Sequence, residues 1–245
     1  MSDSPRDLVI AQIEHRETDP LPYTLDFEGD VAERLDAYYG SDAWRALLDN
    51  AIHVTFTMQL DYDPRVSQTT TDRYGCVWDV SHRPIYLIES PLKEPSLEKL
   101  ALPDLDTIYD EAWRRETTQA VREAGRYFTV LRFDFGLFER TWMLRGFENA
   151  LVDAALRPDF YAELVGLLAE HQMEIVERLV QIPADGIMFG DDWGYQRGVI
   201  LGAARWRRFL KPHLAQMYAR VHQANKYVLT HCCGSIEEIL PDLIE

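Results

Sequence analysis

Residues 186–192 read GIMFGDD, a short apolar run ending in two carboxylates, and residues 226–234 read KYVLTHCCG, a second run ending in an imidazole and two thiols. Both are of strand length, and both follow a helical pattern, DFYAELVGLLAEHQMEIVERLVQ before the first and ARWRRFLKPHLAQMYARVHQANK before the second. Helices of that length suffice for crossovers, so the alternation predicts a parallel α/β sheet or a (β/α) barrel. In a barrel the active site lies at the C-terminal strand ends, which would bring Asp191-Asp192 and His231-Cys232-Cys233 face to face across the mouth.

Outward from these two runs, YFTVLRFDFG (127–136) reads as a further strand, and HVTFTMQLD (53–61), alternating and β-branched, as another with Asp61 at its end. RYGCVWDV, SHRP and IYLIES predict a hairpin of Tyr74 to Val80 with Ile85 to Glu89, read as a decoration on the barrel. Ser41 to Asn50 reads as a short helix. A longer one runs from Asp106 to about Glu123, with Ile108, Ala112, Trp113 and Val121 on its buried stripe and Gly125 as its stop. FERTWMLRGFENALVDAAL and the 159–181 stretch are two more, punctuated by Pro158 and ended near Pro183, while Pro212 kinks or restarts the next. Ser235 to Glu238 spells a capping box, S-I-E-E, that opens a helix at Ile236. Only about five barrel strands are legible, so a single domain over 1–245, incomplete at its C-terminal end, is expected.

With 25 Lys and Arg against 41 Asp and Glu, the 245 residues carry a formal net charge of −16, which excludes a broad non-specific grip on nucleic acid or anionic lipid. The 47% hydrophobic and 27% charged content excludes disorder, collagen and coiled coil. MSDSPRDLVI has no signal-peptide core and no run of about 18 apolar residues occurs, so a cytoplasmic protein that does not enter a membrane is expected. Three cysteines, two of them adjacent, exclude a disulfide framework.

His231 and Cys233, two apart on an extended strand end, point the same way and can share a metal, zinc above all, while Cys232 turns into the packing. Two small core cysteines and a hydrogen-bonded histidine are an equally simple reading of that spacing. Asp191 and Asp192 are candidate catalytic carboxylates, sharing a proton or orienting a ligand, or else turn caps. Arg197, between them and an anionic substrate group, could serve either. Arg132 and Asp134 face one way along a strand, so Asp134 is a candidate substrate contact or half of a salt bridge. Trp193 could stack on a flat ligand, whereas His213 and His222 read as surface or packing residues.

The motifs FGLFERTWMLRGFENALVD, DGIMFGDDWGYQRG, ARWRRFLKPHLAQMYARVH and YVLTHCCGSIEEILPDLIE, in that order, resemble the uroporphyrinogen decarboxylase and cobalamin-dependent methyltransferase superfamily. The resemblance implies a (β/α)8 TIM barrel and one of two activities. The decarboxylase branch removes acetate carboxyls from uroporphyrinogen III around an aspartate and arginines. This chain lacks that branch's R-Q-A-G-R-Y segment, with EAGRYFTV displaced to 123–130, and has Trp142 and Asp192 where that branch has tyrosine and serine. The methyltransferase branch keeps a His-x-Cys pair and a later cysteine on zinc, which His231 and Cys233 match. That match implies zinc, a third ligand beyond Glu245, a small thiol or methylated substrate, and methylcobalamin on a partner corrinoid protein, with a homodimer possible. Zinc-dependent methyl transfer therefore ranks above decarboxylation, and a non-catalytic tetrapyrrole- or corrinoid-binding protein ranks third.

Overall fold

The computed structural model describes residues 3–27, 29–57 and 67–245. Helices α1 (Pro5–Ile13) and α2 (Gly29–Tyr39), neither of them read from the sequence, precede a 3-10 turn (Ala43–Leu47) and β1 (Ile52–Phe56). Next come β2 (Thr69–Thr71), β3 (Val77–Asp79), β4 (Tyr86–Glu89), α3 (Leu105–Ile108) and α4 (Glu111–Glu123). β5 (Phe128–Phe133) leads into α5 (Leu137–Arg145), α6 (Phe147–Leu156) and α7 (Pro158–Leu179). Then follow β6 (Gly186–Gly190), β7 (Gly194–Tyr195), β8 (Gly198–Val199), α8 (Ala203–Phe209), α9 (Lys211–Gln223), β9 (Tyr227–His231) and α10 (Leu240–Ile244).

The strands β1, β5, β6 and β9 lie side by side in that order, every pair parallel. Among the described residues the chain is thus an α/β fold around a four-stranded parallel sheet, open rather than closed into a barrel, where about five barrel strands were expected. β5 reads FTVLRF and is buried at all positions but Arg132, as a strand covered on both faces must be. One face carries Leu131, Phe133, Ile187 and Phe189 into the main core with α5, α7 and α9, and on the other Val9 of α1 meets Ala51, Phe128 and Val130. Among the described residues no helix is long and apolar enough to cross a membrane.

Several boundaries differ from the sequence reading for local reasons. The helix expected from Asp106 to Glu123 is broken because the Asp110 carboxylate accepts the Trp113 N–H at 2.7 Å and starts α4 afresh. The FERT helix splits at Gly146, whose φ of +83° ends α5 and opens α6. Pro212 restarts the chain as the first turn of α9. The capping box at Ser235 does not form: its N–H donates to the Tyr195 carbonyl at 2.8 Å, and the turn begins as a 3-10 helix at Glu237. The hairpin gains a third strand, β2, and is no decoration, since Tyr74, Cys76, Trp78 and Val80 are buried in the main core. Asp61 and the end of the strand expected over 53–61 lie outside the described residues.

Candidate metal centre

Strand register decides which side chains meet. Phe56, Arg132, Met188 and Leu229 align across the sheet, and so do Gly190 and His231. Two residues further on, the period of a strand returns Asp134, Asp192 and Cys233 to that same open face at the C-terminal strand ends. Phe133, Asp191 and Cys232 have the opposite parity and turn toward the helices. The paired aspartates and the paired cysteines are each split in this way, one member facing out and one in.

The outward members converge. The Cys233 N–H donates to Asp192 Oδ1 at 2.7 Å, His231 Nε2 lies 3.9 Å from that oxygen, and Cys233 Sγ lies 3.7 Å from His231 Nε2. Asp192, His231 and Cys233 each offer a ligand atom, all within 4.8 Å of one another, and His231 and Cys233 are exposed. Nitrogen, sulfur and carboxylate oxygen so placed are a donor set that fits zinc. Asp192, read from the sequence as catalytic, thus occupies the place of a third donor, for which the sequence reading looked beyond Glu245. The Cys233 thiol is raised, chiefly by partial burial and then by the Asp192 charge.

The inward members build the support. Asp191 is 2% exposed, and its carboxylate accepts the N–H groups of Phe138 and Glu139 at 2.9 and 2.8 Å and the indole N–H of Trp193 at 2.7 Å. It therefore caps the first turn of α5 from a strand far away in sequence, where the helix N-terminus favours an anion. Gly136 permits this approach, because a Cβ there would lie 2.5 Å from that of Asp191. Cys232 Sγ accepts the Trp193 N–H at 3.2 Å, and burial pushes its thiol up to about 11.

Glu139, the third residue of α5, went unnoticed in the sequence. Burial first, and then the Asp191 and Asp192 charges, raise its carboxyl far above the usual carboxylate range. Burial also raises Asp191, while the three N–H groups it accepts act to lower it. An acidic first turn in FERT was the available signal, and only tertiary burial distinguishes it from a surface glutamate.

The remaining candidates separate. Asp134 pairs with Arg132 at 2.8 Å beside the donors, each side chain about a quarter exposed at 22% and 24%. Trp193, expected to stack on a ligand, instead packs edge-on against Trp206 at 5.4 Å and is 1% exposed, which leaves no ring face open. Arg197 is exposed on the turn between β7 and β8 and pairs with neither aspartate. His213 is partly buried on α9 and His222 exposed, as read. That β7–β8 ladder is pressed onto the Cys233 turn: a Cβ on Gly194 would lie 2.8 Å from the Cys233 carbonyl oxygen, and one on Gly234, at φ +77°, 2.5 Å from the Gly194 carbonyl carbon.

Compared by sequence with curated proteins, the chain matches none. Among solved structures its fold resembles a methyltransferase from Methanosarcina mazei, with a TM-score of 0.71 at 16% identity, over 100% of this chain and 74% of that one. The model of the uroporphyrinogen decarboxylase (URO-D) family matches residues 75–245, from the antiparallel strands through the last helix. That span contains all three candidate donors and Asp191 behind them. By that match, the chain belongs to the uroporphyrinogen decarboxylase family.

Proposed function

We propose that this chain is a zinc-dependent methyltransferase of its family, built on a (β/α)8 barrel, with the metal held by Asp192, His231 and Cys233. The donor set carries the proposal: three ligand atoms of different chemistry, within 4.8 Å, on the open face of the strand ends. A zinc ion there would bind a substrate thiol and lower its pKa, making the sulfur nucleophilic toward a methyl group. Methylcobalamin on a partner corrinoid protein is the donor that this reading implies. The chain's own residues hold the geometry. Asp192 ties the Cys233 backbone, Asp191 fixes α5 behind it, and burial beside these carboxylates raises the Glu139 carboxyl.

Electrostatics favour this reading over decarboxylation. The Asp191 and Asp192 carboxylates lie at the strand ends, and Arg132 is already paired with Asp134. A polyanionic porphyrinogen would meet like charge there, whereas a cation is welcomed. The likeness in fold to a methyltransferase agrees with this choice.

Metal content by atomic emission, with chelator competition, tests the proposal on wild type, His231→Ala and Cys233→Ala. Stoichiometric zinc in wild type, lost in both variants, is expected, together with loss of methylcobalamin absorbance when a thiol is supplied. Unchanged zinc in Cys233→Ala would sink it, and tight tetrapyrrole binding with neither metal nor turnover would point to a binding protein instead.

A further inference from the structure

Against the turn between the antiparallel strands β2 and β3 lies a buried cation that the described residues only half satisfy. Arg140, on α5 directly after Glu139, is 4% exposed. One of its guanidinium nitrogens, Nη1, reaches Asp72 Oδ2, but at a long 3.4 Å. Asp72 is occupied elsewhere. Its Oδ1 accepts the N–H groups of Tyr74 and Cys76, both at 2.9 Å, and its Oδ2 accepts the Trp78 indole N–H at 3.2 Å. Among the described residues, Arg140 Nε is buried with no hydrogen-bond partner. An unpaired N–H on a buried charged group is rare, because it forfeits water and gains nothing in return.

The surroundings say what is missing. The Tyr74 ring lies 3.8 Å from the guanidinium carbon and the Phe135 ring 5.4 Å, so the two aromatic rings flank the group. His171 is spoken for by the Tyr74 hydroxyl at 3.2 Å. With Nη1 turned to Asp72, the edge left over is the one made by Nε and Nη2. That edge is the parallel fork to which a carboxylate binds with both oxygens. A lone water needs two to four polar partners, and aromatic rings do not supply them. A dianion would be opposed by Asp72, whereas a single carboxylate brings one charge to one cation. Phe135 also contacts Trp78, at 6.2 Å between centroids, and directly follows Asp134 of the open face. It holds a left-handed φ of +60°, a conformation that a bulky non-glycine residue adopts only where its surroundings impose it.

We infer that the Nε and Nη2 edge of Arg140, walled by Tyr74 and Phe135, is a binding subsite for the carboxylate group of a small organic substrate. That substrate is the methyl-accepting thiol of the proposed reaction, and this identification of the occupant rests on that reading. The subsite is closed in the present conformation, and Phe135 is the side chain whose displacement opens it toward the strand ends.

Benzoate, a planar monoanionic carboxylate, is the probe, titrated into the metal-free chain by thermal melting and calorimetry, with sodium chloride at matched ionic strength and inorganic phosphate as comparisons. Wild type is expected to show a saturable, benzoate-specific rise in Tm that phosphate and chloride do not reproduce. Arg140→Met should bind benzoate at least about tenfold more weakly, the loss of one charge-assisted pair. Arg140→Lys keeps the charge and the fold but not the fork, and should show a loss of the same order, so the test survives if the methionine variant does not fold. No benzoate-specific response in wild type, a stronger response to phosphate, or wild-type affinity in Arg140→Lys would each overturn the subsite. Failure of the metal reading would show separately, as wild-type protein without zinc.

Discussion

Removing the Asp191 carboxylate should unfasten α5 from the sheet. In Asp191→Ala the Phe138 and Glu139 N–H groups lose the acceptor that caps the helix, a cost of about 0.5–2 kcal/mol. The buried Trp193 indole N–H is orphaned as well, a further loss of about 1–3 kcal/mol. Together these give a destabilisation of roughly 1.5–5 kcal/mol, which in a chain of this size lowers Tm by about 3–20 °C. Asp191→Asn keeps the shape and one acceptor oxygen but turns an N–H₂ toward N–H donors, so it should fall between, at about 2 kcal/mol. Urea denaturation followed by far- and near-ultraviolet circular dichroism measures both. A loss below about 1 kcal/mol in Asp191→Ala would refute the capping role. On the proposed zinc reading the ligand oxygen belongs to Asp192 and not Asp191, so folded Asp191→Asn should still bind zinc.

Two more outcomes follow from the same geometry. Glu139 holds its proton in the folded protein far above the pH at which the unfolded chain loses it, so the stability it contributes is complete below about pH 4.5 and drains away as pH rises toward its folded value. Glu139→Gln, which mimics the protonated form, should match wild type in urea midpoint at pH 4.5 and exceed it at pH 9; superimposable pH profiles would contradict the assignment of the proton. Among the thiols, Cys233 is exposed, Cys232 is pushed up to about 11 and the fully buried Cys76 to about 12, so iodoacetamide at pH 8 should label Cys233 first, and zinc should protect it. Peptide mapping that found Cys232 or Cys76 modified as fast as Cys233 would count against this arrangement.

What could be read from the sequence was whatever short-range periodicity encodes. The period of two along YVLTHCC already put His231 and Cys233 on one side, and the runs GIMFGDD and YFTVLRFDFG declared themselves as buried strands by composition. The family motifs carried the fold and the assignment to the uroporphyrinogen decarboxylase family. What escaped depends on partners distant in the chain. Asp191 is a cap only because α5, which begins more than fifty residues earlier, starts beside it. Nothing local to FERT tells that Glu139 is buried beside carboxylates, or that the adjacent Arg140 is buried against Asp72 and Tyr74 of the turn between β2 and β3. Parity also outweighed residue type: Asp191 and Asp192 look interchangeable as letters and have opposite surroundings as side chains.

The contact between Gly194 and Gly234 has a consequence for how this centre can change. The gap between the Asp192 loop and the Cys233 turn is set by two side chains that are not there, and no residue other than glycine fits at either place without prising the turns apart. The scaffold's dimensions are thus encoded at positions outside the candidate donor set of 192, 231 and 233. The two can vary independently. A library randomised at the three donor positions, with both glycines retained, would present different ligand sets to different metals at constant spacing, which makes this turn pair a natural frame for retuning metal preference by substitution alone.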